Sequence, residues 1–265
     1  MKIKVALGQF AVAREWQTNV QTCLSLMAQS IAAGTDLLVL PEGVLSRDIT
    51  DPDVVRKTAQ PVDGPFVTQL LHASQGHMMT VMFCLYIPAP HGRVWNVLVA
   101  IRNGEIIAQY RKLHLYDAFS MQESRNVLAG DEIPALVEVA GFKVGLMTCY
   151  DVRFPDLAHR LALDGAQVLV LPAGWVKGPL KERHWELLVA ARALENTCYM
   201  LAVGECGERN IGHSMVVDPL GVVIAQAAAS PALIFAELES ACLNHARQQL
   251  PVLENRRFAM PQLGK

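Results

Sequence analysis

The chain is 265 residues long, 52% apolar and 18% charged, with a formal net charge of −2 at pH 7. That length accommodates one large domain or two ordinary ones, and the apolar fraction can fill a sizeable core. The near-neutral balance offers no field for nucleic acid or an anionic membrane, and no apolar run reaches the ~18 residues of a membrane span. Six cysteines (Cys23, Cys84, Cys149, Cys198, Cys206, Cys242) are scattered without a C-x-x-C pair. In a chain this long that favours reduced thiols in a cytoplasmic protein over a disulfide framework.

In chain order, Met1–Phe10 alternates with the period of a strand and lacks a signal-peptide cleavage pattern. Residues 19–33 read as an amphipathic helix. Asn19 can cap it, Val20, Cys23, Leu24, Met27 and Ile31 share one face, and Gly34 ends it. The apolar run before Pro41 is a strand, so Glu42 sits just past a strand end. Gly64-Pro65 opens a second helix with Phe66, Leu70 and Leu71 turned inward. Strands follow near 79–86 and 94–101, and Asn103-Gly104 turns the chain into a further strand with Lys112 near its far end. Residues 143–149 form a strand with Cys149 at its carboxyl end. Pro155 begins a third helix with Leu157, Ala158 and Leu161 inward, ending near Gly165. A strand at 167–172, a helix at 182–195 carrying Trp185, Leu188 and Val189 on one face, and strands at 198–204, 213–217 and 221–226 follow. No linker or low-complexity tract divides the chain, so residues 1–265 read as one α/β domain.

An internal repeat is visible. Gly34-Thr-Asp-Leu-Leu-Val-Leu-Pro-Glu-Gly43 resembles Gly165-Ala-Gln-Val-Leu-Val-Leu-Pro-Ala-Gly174. Gly104-Glu-Ile-Ile-Ala-Gln109 resembles Gly221-Val-Val-Ile-Ala-Gln226, and Lys4-Val-Ala-Leu aligns with Lys143-Val-Gly-Leu. Chance likeness among apolar strands is the alternative. If the repeat is real, the halves have divided the polar residues. The first has Glu42 and Lys112 where the second has Ala173 and Ala229, and the second has Cys149 where the first has Phe10. A single site at the seam between two sheets follows.

Three residue types at three strand ends suit acyl transfer. A thiol at a strand-to-helix turn has backbone N–H groups beside it, which can lower its pKa from about 8.5 and hold an oxyanion. A carboxylate can move the thiol proton, and an ammonium can neutralise the oxyanion. Each residue has a plainer reading: a buried structural cysteine for Cys149, a solvated loop glutamate for Glu42, and a surface cation beside Arg111 for Lys112. Arg153, four residues past Cys149, can hold a substrate carboxylate or pair with Asp151 or Asp156. Trp175 is a pocket wall or core packing. His114 could form a Cys–His dyad or be structural, while His184 and His213 read as loop supports. No H-E-x-x-H, G-x-S-x-G, G-x-G-x-x-G or G-x-x-x-x-G-K-[ST] pattern occurs, so metal, serine-hydrolase and nucleotide chemistry have no support.

The order Leu-Pro-Glu42, Tyr-Arg-Lys112-Leu-His and Thr-Cys149-Tyr-Asp-Val-Arg-Phe-Pro resembles the nitrilase, or carbon–nitrogen hydrolase, superfamily over residues 3 to 257. His184-Trp185-Glu186, Ala191-Arg192-Ala193 and Gly212-His-Ser-Met-Val-Val-Asp-Pro219 extend the likeness and resemble its amidase branch. The resemblance implies a four-layer αββα sandwich, usually dimerised through its helices. It implies a cofactor-free, metal-free cysteine amidohydrolase with Glu42, Lys112 and Cys149 as a triad. Glu123 would be a second glutamate orienting Lys112 or the substrate amine, and the Tyr150 N–H would share the oxyanion. Within the branch the chain is most similar to the group acting on deaminated glutathione, which implies release of 2-oxoglutarate and Cys-Gly. Alternatives are an ω-amidase on 2-oxoglutaramate, a nitrilase or N-carbamyl amidase, and a non-catalytic thiol sensor. The loop Gly207–Gly212 is shorter than in many relatives, at a place that can border the pocket.

Overall fold

The computed structural model describes residues 1–48 and 50–264. Its first sheet is built from β1 (Lys2–Gln9), β2 (Leu37–Val39), β3 (Thr80–Pro88), β4 (Val94–Arg102), β5 (Glu105–Arg111) and β6 (Val127–Leu128). The second is built from β7 (Val137–Val139), β8 (Phe142–Leu146), β9 (Val168–Ala173), β10 (Tyr199–Gly204), β11 (Met215–Val217) and β12 (Val223–Gln226). The last strand, β13 (Ala232–Glu239), returns to the first sheet beside β1.

The two sheets have the same plan. The first runs β13-β1-β2-β3-β4-β5, with β6 added beside β4, and the second runs β7-β8-β9-β10-β11-β12. In each, three central strands are parallel and the flanking strands are antiparallel to them. Val39 of β2 corresponds to Val170 of β9, so the sequence repeat is a repeat of architecture.

Strand alternation sets the layers. Ile3, Val5 and Leu7 of β1 face one core with Met82, Cys84, Leu98 and the second sheet, whereas Ala6 faces the other. That other core holds Val20, Cys23 and Met27 of α1 (Trp16–Ala32) and Phe66, Val67 and Leu70 of α3 (Pro65–Ser74), which follows the one-turn α2 (Val54–Lys57). On the second sheet pack Leu157, Ala158 and Leu161 of α4 (Pro155–Leu163) and Trp185, Val189 and Ala193 of α5 (Lys181–Asn196). The result is the expected αββα sandwich. The chain then runs through α6 (Ser240–Gln249) and α7 (Val252–Asn255). No helix among the described residues is long and apolar enough to cross a membrane.

Local expectations differ in three places. α1 begins at Trp16, so Asn19 is not its cap. Asn19 is buried and ties two loops together, accepting from Ala13 N at 2.8 Å and donating to Ala13 O and Leu45 O. Strand β8 stops at Leu146, and Cys149 instead opens a short 3-10 turn over Cys149–Arg153. The half-exposed β13 and the helix after it carry only weak apolar periodicity, and neither is legible before the fold is seen.

Candidate active site

Glu42, Lys112, Glu123 and Cys149 meet at the seam between the sheets. Pro41 ends the first-sheet segment, and Glu42 turns under the second sheet. Its Oε2 accepts from Gly174 N at 2.8 Å and its Oε1 from Asn96 Nδ2 at 2.7 Å. Gly174 follows β9 as Gly43 follows β2, and a Cβ there would stand 2.6 Å from Arg47 Nη2 and 3.4 Å from Glu42 Oε2. That close approach is why the position is glycine.

Lys112 lies just beyond β5, and its backbone N–H donates to Asn96 O at 2.9 Å. Its Nζ reaches Glu42 Oε1 at 3.0 Å and Glu123 Oε2 at 2.8 Å, with the side chain 2% exposed. Glu123 is fixed in turn by Tyr116 N, which donates to its Oε2 at 2.6 Å. One almost wholly buried ammonium thus serves two carboxylates. Burial opposes the charge on Lys112, but Glu123 and Glu42 outweigh it and hold the pKa well above its ordinary value. Burial likewise opposes the Glu42 charge, yet Lys112, the Cys149 hydrogen bond, Arg47 and the Gly174 N–H hold that pKa below the ordinary carboxylate value.

Cys149 has φ 45°, a left-handed conformation that a residue with a Cβ adopts only when its surroundings impose it. Thr148 and Asp151 impose it through a reciprocal cap, in which Thr148 N donates to Asp151 Oδ2 at 2.8 Å. The thiol is buried beside the Glu42 carboxylate. Its pKa is not lowered, as a helix-start thiol alone would suggest. Burial first, and then the Glu42 charge, push it well above the ordinary thiol value, and Lys112 only partly offsets them. A protonated thiol beside an ionised carboxylate is a nucleophile paired with its base.

Asp151 is fully buried, and its partners explain the turn. Oδ2 also accepts from Tyr110 OH at 2.8 Å, while Oδ1 accepts from His114 N at 3.1 Å and meets His114 Nδ1 at 2.7 Å. His114 therefore supports the turn, with its ring stacked on Phe154. Both oxygens of Asp151 being taken, Arg153 does not pair with it. Arg153 reaches His184 Nδ1 at 3.4 Å and sits 4.9 Å from the Trp175 ring, and its buried Nε has no partner among the described residues. Lys181 joins it, with Nζ 4.0 Å from the Phe119 ring, 5.6 Å from Trp175 and 2.7 Å from Tyr116 OH. Burial and then Arg153 lower the Lys181 pKa.

A cavity of about 450 Å³ opens on Glu42, Lys112, Cys149, Glu123 and Tyr116, with Val54, Val55, Tyr86 and Val127 as its apolar wall. Arg153 and Lys181 are not on that wall, and neither is Trp175. Its ring packs on Trp185 and its Nε1 donates to Lys181 O at 2.9 Å. Tyr150 packs edge-on against Tyr116 and Phe154, and its backbone N–H lies in the first turn after Cys149, where such groups lack helical partners. The 207–212 loop borders a second cavity of about 320 Å³ that shares Arg47 and Asp48 with the first. Arg47 pairs with the buried Glu205 through Nε and donates from Nη2 to Glu42 O at 3.3 Å. Burial pushes the Glu205 carboxyl up to about 7. Among the described residues no group of three or more His, Cys, Asp or Glu is placed to hold a metal ion. Sequence reasoning missed Asn96, Arg47, Glu205 and Lys181. Only Gly174 had left a signal, as the repeat counterpart of Gly43.

The carbon–nitrogen hydrolase family model matches residues 4–248. A deaminated glutathione amidase of Escherichia coli O157:H7 is 56% identical over 259 residues, 98% of this chain and 99% of that one. The Caenorhabditis elegans NitFhit protein superposes with a TM-score of 0.90 at 28% identity over 97% of this chain, which spans 65% of that longer protein. Saccharomyces cerevisiae Nit3, of branch 10 of the nitrilase superfamily, superposes with a TM-score of 0.83 at 28% identity, over 97% of both chains.

Proposed function

Since the chain belongs to the carbon–nitrogen hydrolase family, we propose that it hydrolyses the amide of deaminated glutathione, N-(4-oxoglutaryl)-L-cysteinylglycine, to 2-oxoglutarate and Cys-Gly. Amide hydrolysis is the family chemistry, and the substrate is carried by the 56% identity along nearly the whole chain. The observation that supports the chemistry is the buried Lys112 ammonium shared by Glu42 and Glu123 beside Cys149.

Glu42 takes the thiol proton as Cys149 Sγ attacks the amide carbon. The oxyanion forms towards Lys112 Nζ and the Tyr150 N–H, an interaction commonly worth about 3–4 kcal/mol. Glu42 returns the proton to the amine nitrogen, the C–N bond breaks, and a thioester remains on Cys149. Water, deprotonated by Glu42, attacks the thioester, and 2-oxoglutarate leaves as the thiol regains its proton. Glu123 keeps Lys112 aimed between the carboxylates. These steps transfer protons and an acyl group only, so they call for no metal or cofactor.

Arg153 takes the 2-oxo acid carboxylate, supported by its unpartnered Nε and by Lys181 over the same aromatic rings. Residues 1–265 work as a single domain, as a homodimer, in the cytoplasm, where the free thiols stay reduced. Purified protein should release Cys-Gly from deaminated glutathione faster than it releases ammonia from 2-oxoglutaramate. Cys149→Ala should be folded and inactive, while Cys198→Ala retains turnover. Faster ammonia release would reassign the substrate, and turnover by Cys149→Ala would overturn the mechanism.

A further inference from the structure

The charges on the wall of the 450 Å³ cavity do not cancel evenly. Its four acids are each engaged. Glu42 and Glu123 share Lys112, Asp48 pairs with Arg14 at 2.8 Å, and Asp51 with Lys57 at 2.6 Å. Two cations besides Lys112 face the same space, Arg47 and Arg125. Arg125 is exposed on a surface turn. Arg47 is less exposed and lies against buried groups. Its Nε meets Glu205, whose side chain is 4% exposed, and Nη2 donates to Glu42 O. A Cβ on Gly43 or Gly174 would lie 3.1 or 2.6 Å from Nη2, so two glycines make its cradle. A guanidinium carries five N–H donors, and these two contacts leave Nη1 unbonded among the described residues, on a side chain that lines the cavity.

The proposed substrate has carboxylates at both ends. Arg153 and Lys181 suit the acyl end. The amine-side carboxylate lies two residues beyond the scissile nitrogen, about 7 Å along an extended chain. We propose that Arg47, braced by Glu205, receives the C-terminal carboxylate of the leaving dipeptide and so makes the site specific for amides with an anionic amine side. This rests on the deaminated glutathione reading and deepens it, because 2-oxoglutaramate has no second carboxylate for Arg47 to hold. Arg47 sits beside the general base but takes no part in proton transfer. Its fixed fork selects the ligand by bidentate geometry, which a lysine at the same place would not reproduce.

The test compares deaminated glutathione with its C-terminal amide, in the native enzyme and in Arg47→Gln, Arg47→Lys and Arg125→Gln. For the native enzyme and Arg125→Gln, the free acid should have a KM roughly 10–100-fold below that of the amide, the range for one charge-assisted hydrogen bond. Arg47→Gln should raise KM for the free acid to that of the amide, while the change in kcat that follows from losing Arg47 beside Glu42 should be the same for acid and amide, and Arg47→Lys should recover part of the preference. Comparing two ligands on the native enzyme needs no variant to fold. Equal KM values for acid and amide in the native enzyme would overturn the proposal, as would loss of the preference in Arg125→Gln rather than Arg47→Gln. If the native enzyme cleaves deaminated glutathione but ignores its C-terminus, only the role of Arg47 falls. If it does not cleave it at all, the substrate reading falls and takes this proposal with it.

Discussion

Tyr110 OH donates to Asp151 Oδ2 at 2.8 Å, and that buried bond ties the two halves of the repeat together at the site. Tyr110 stands two residues before Lys112, and Asp151 two residues after Cys149. The bond therefore sets the spacing between the cationic strand end and the thiol turn. Asp151 also holds Thr148 N of its own turn and His114, so one carboxylate fixes the 110–114 segment against the thiol turn.

Asp151→Ala should accordingly damage both folding and catalysis. One hydrogen bond to a charged group contributes about 1.5–3 kcal/mol, and Asp151 makes several. Tyr110→Phe removes one and should cost less, with kcat falling more than KM rises because the thiol turn loosens. Denaturant midpoints and steady-state kinetics on both variants check this. An Asp151→Ala protein with native kcat would show that the Cys149 turn holds itself.

Lys112→Met should be nearly inactive. It removes the oxyanion cation, a loss of the order of 10²–10³ in kcat, and leaves two carboxylates facing each other. Breaking a buried ion pair from one side also costs about 3–5 kcal/mol, so its thermal midpoint should drop sharply. Adding Glu123→Gln should recover stability without activity, since Glu123 then no longer repels Glu42. If the double variant were no more stable than the single, the charge cluster would not be what the fold is balancing.

Glu42, Lys112 and Cys149 were legible in the sequence because each follows a strand end, and strand ends can be read from apolar runs and turn residues. Their pKa directions were not. The expected lowering of the Cys149 pKa considered only its own turn, whereas burial and Glu42 come from elsewhere in the chain and reverse the sign. Arg47 and Glu205 were invisible for a related reason. Each is an ordinary polar residue in its own loop, and they meet only when the two sheets stack. The repeat was visible as likeness between apolar strands, but the place of β13 beside β1 depends on a long-range antiparallel pairing that no turn announces.

Glu205 should also leave a mark on stability. Its folded pKa is raised from the ordinary 4.5 to about 7, by burial above all. The folded state therefore prefers the protonated form. This contribution is fully present below pH 4.5 and is lost as the pH rises through about 7. The full span corresponds to roughly 3 kcal/mol. Glu42 has the opposite sign, with stability present above its ordinary value and lost as pH falls, so it does not mimic the effect. Glu205→Gln mimics the protonated side chain at every pH, so it should flatten the decline between pH 5 and pH 8. Parallel midpoint curves for the native and variant proteins would mean that Glu205 does not titrate in that window.

The acyl end of the site offers the sharpest separation of binding from chemistry. Arg153 and Lys181 are two cations held over the rings of Trp175 and Phe119, and Arg153 helps to depress the Lys181 pKa. Like charges at such range repel unless an anion comes between them, and a 2-oxo acid supplies that anion. Arg153→Ala should raise KM for deaminated glutathione by one to two orders of magnitude, since a charge-assisted hydrogen bond contributes about 1.5–3 kcal/mol. Lys181→Met should raise it by less, because Tyr116 OH and Arg153 remain in place. A neutral amide such as butyramide has no carboxylate to lose, so both variants should turn it over nearly as the native protein does. Kinetics on the two substrates decide the matter. An equal loss on both would make Arg153 a support for the Cys149 turn, and the acyl carboxylate would then be held by another group.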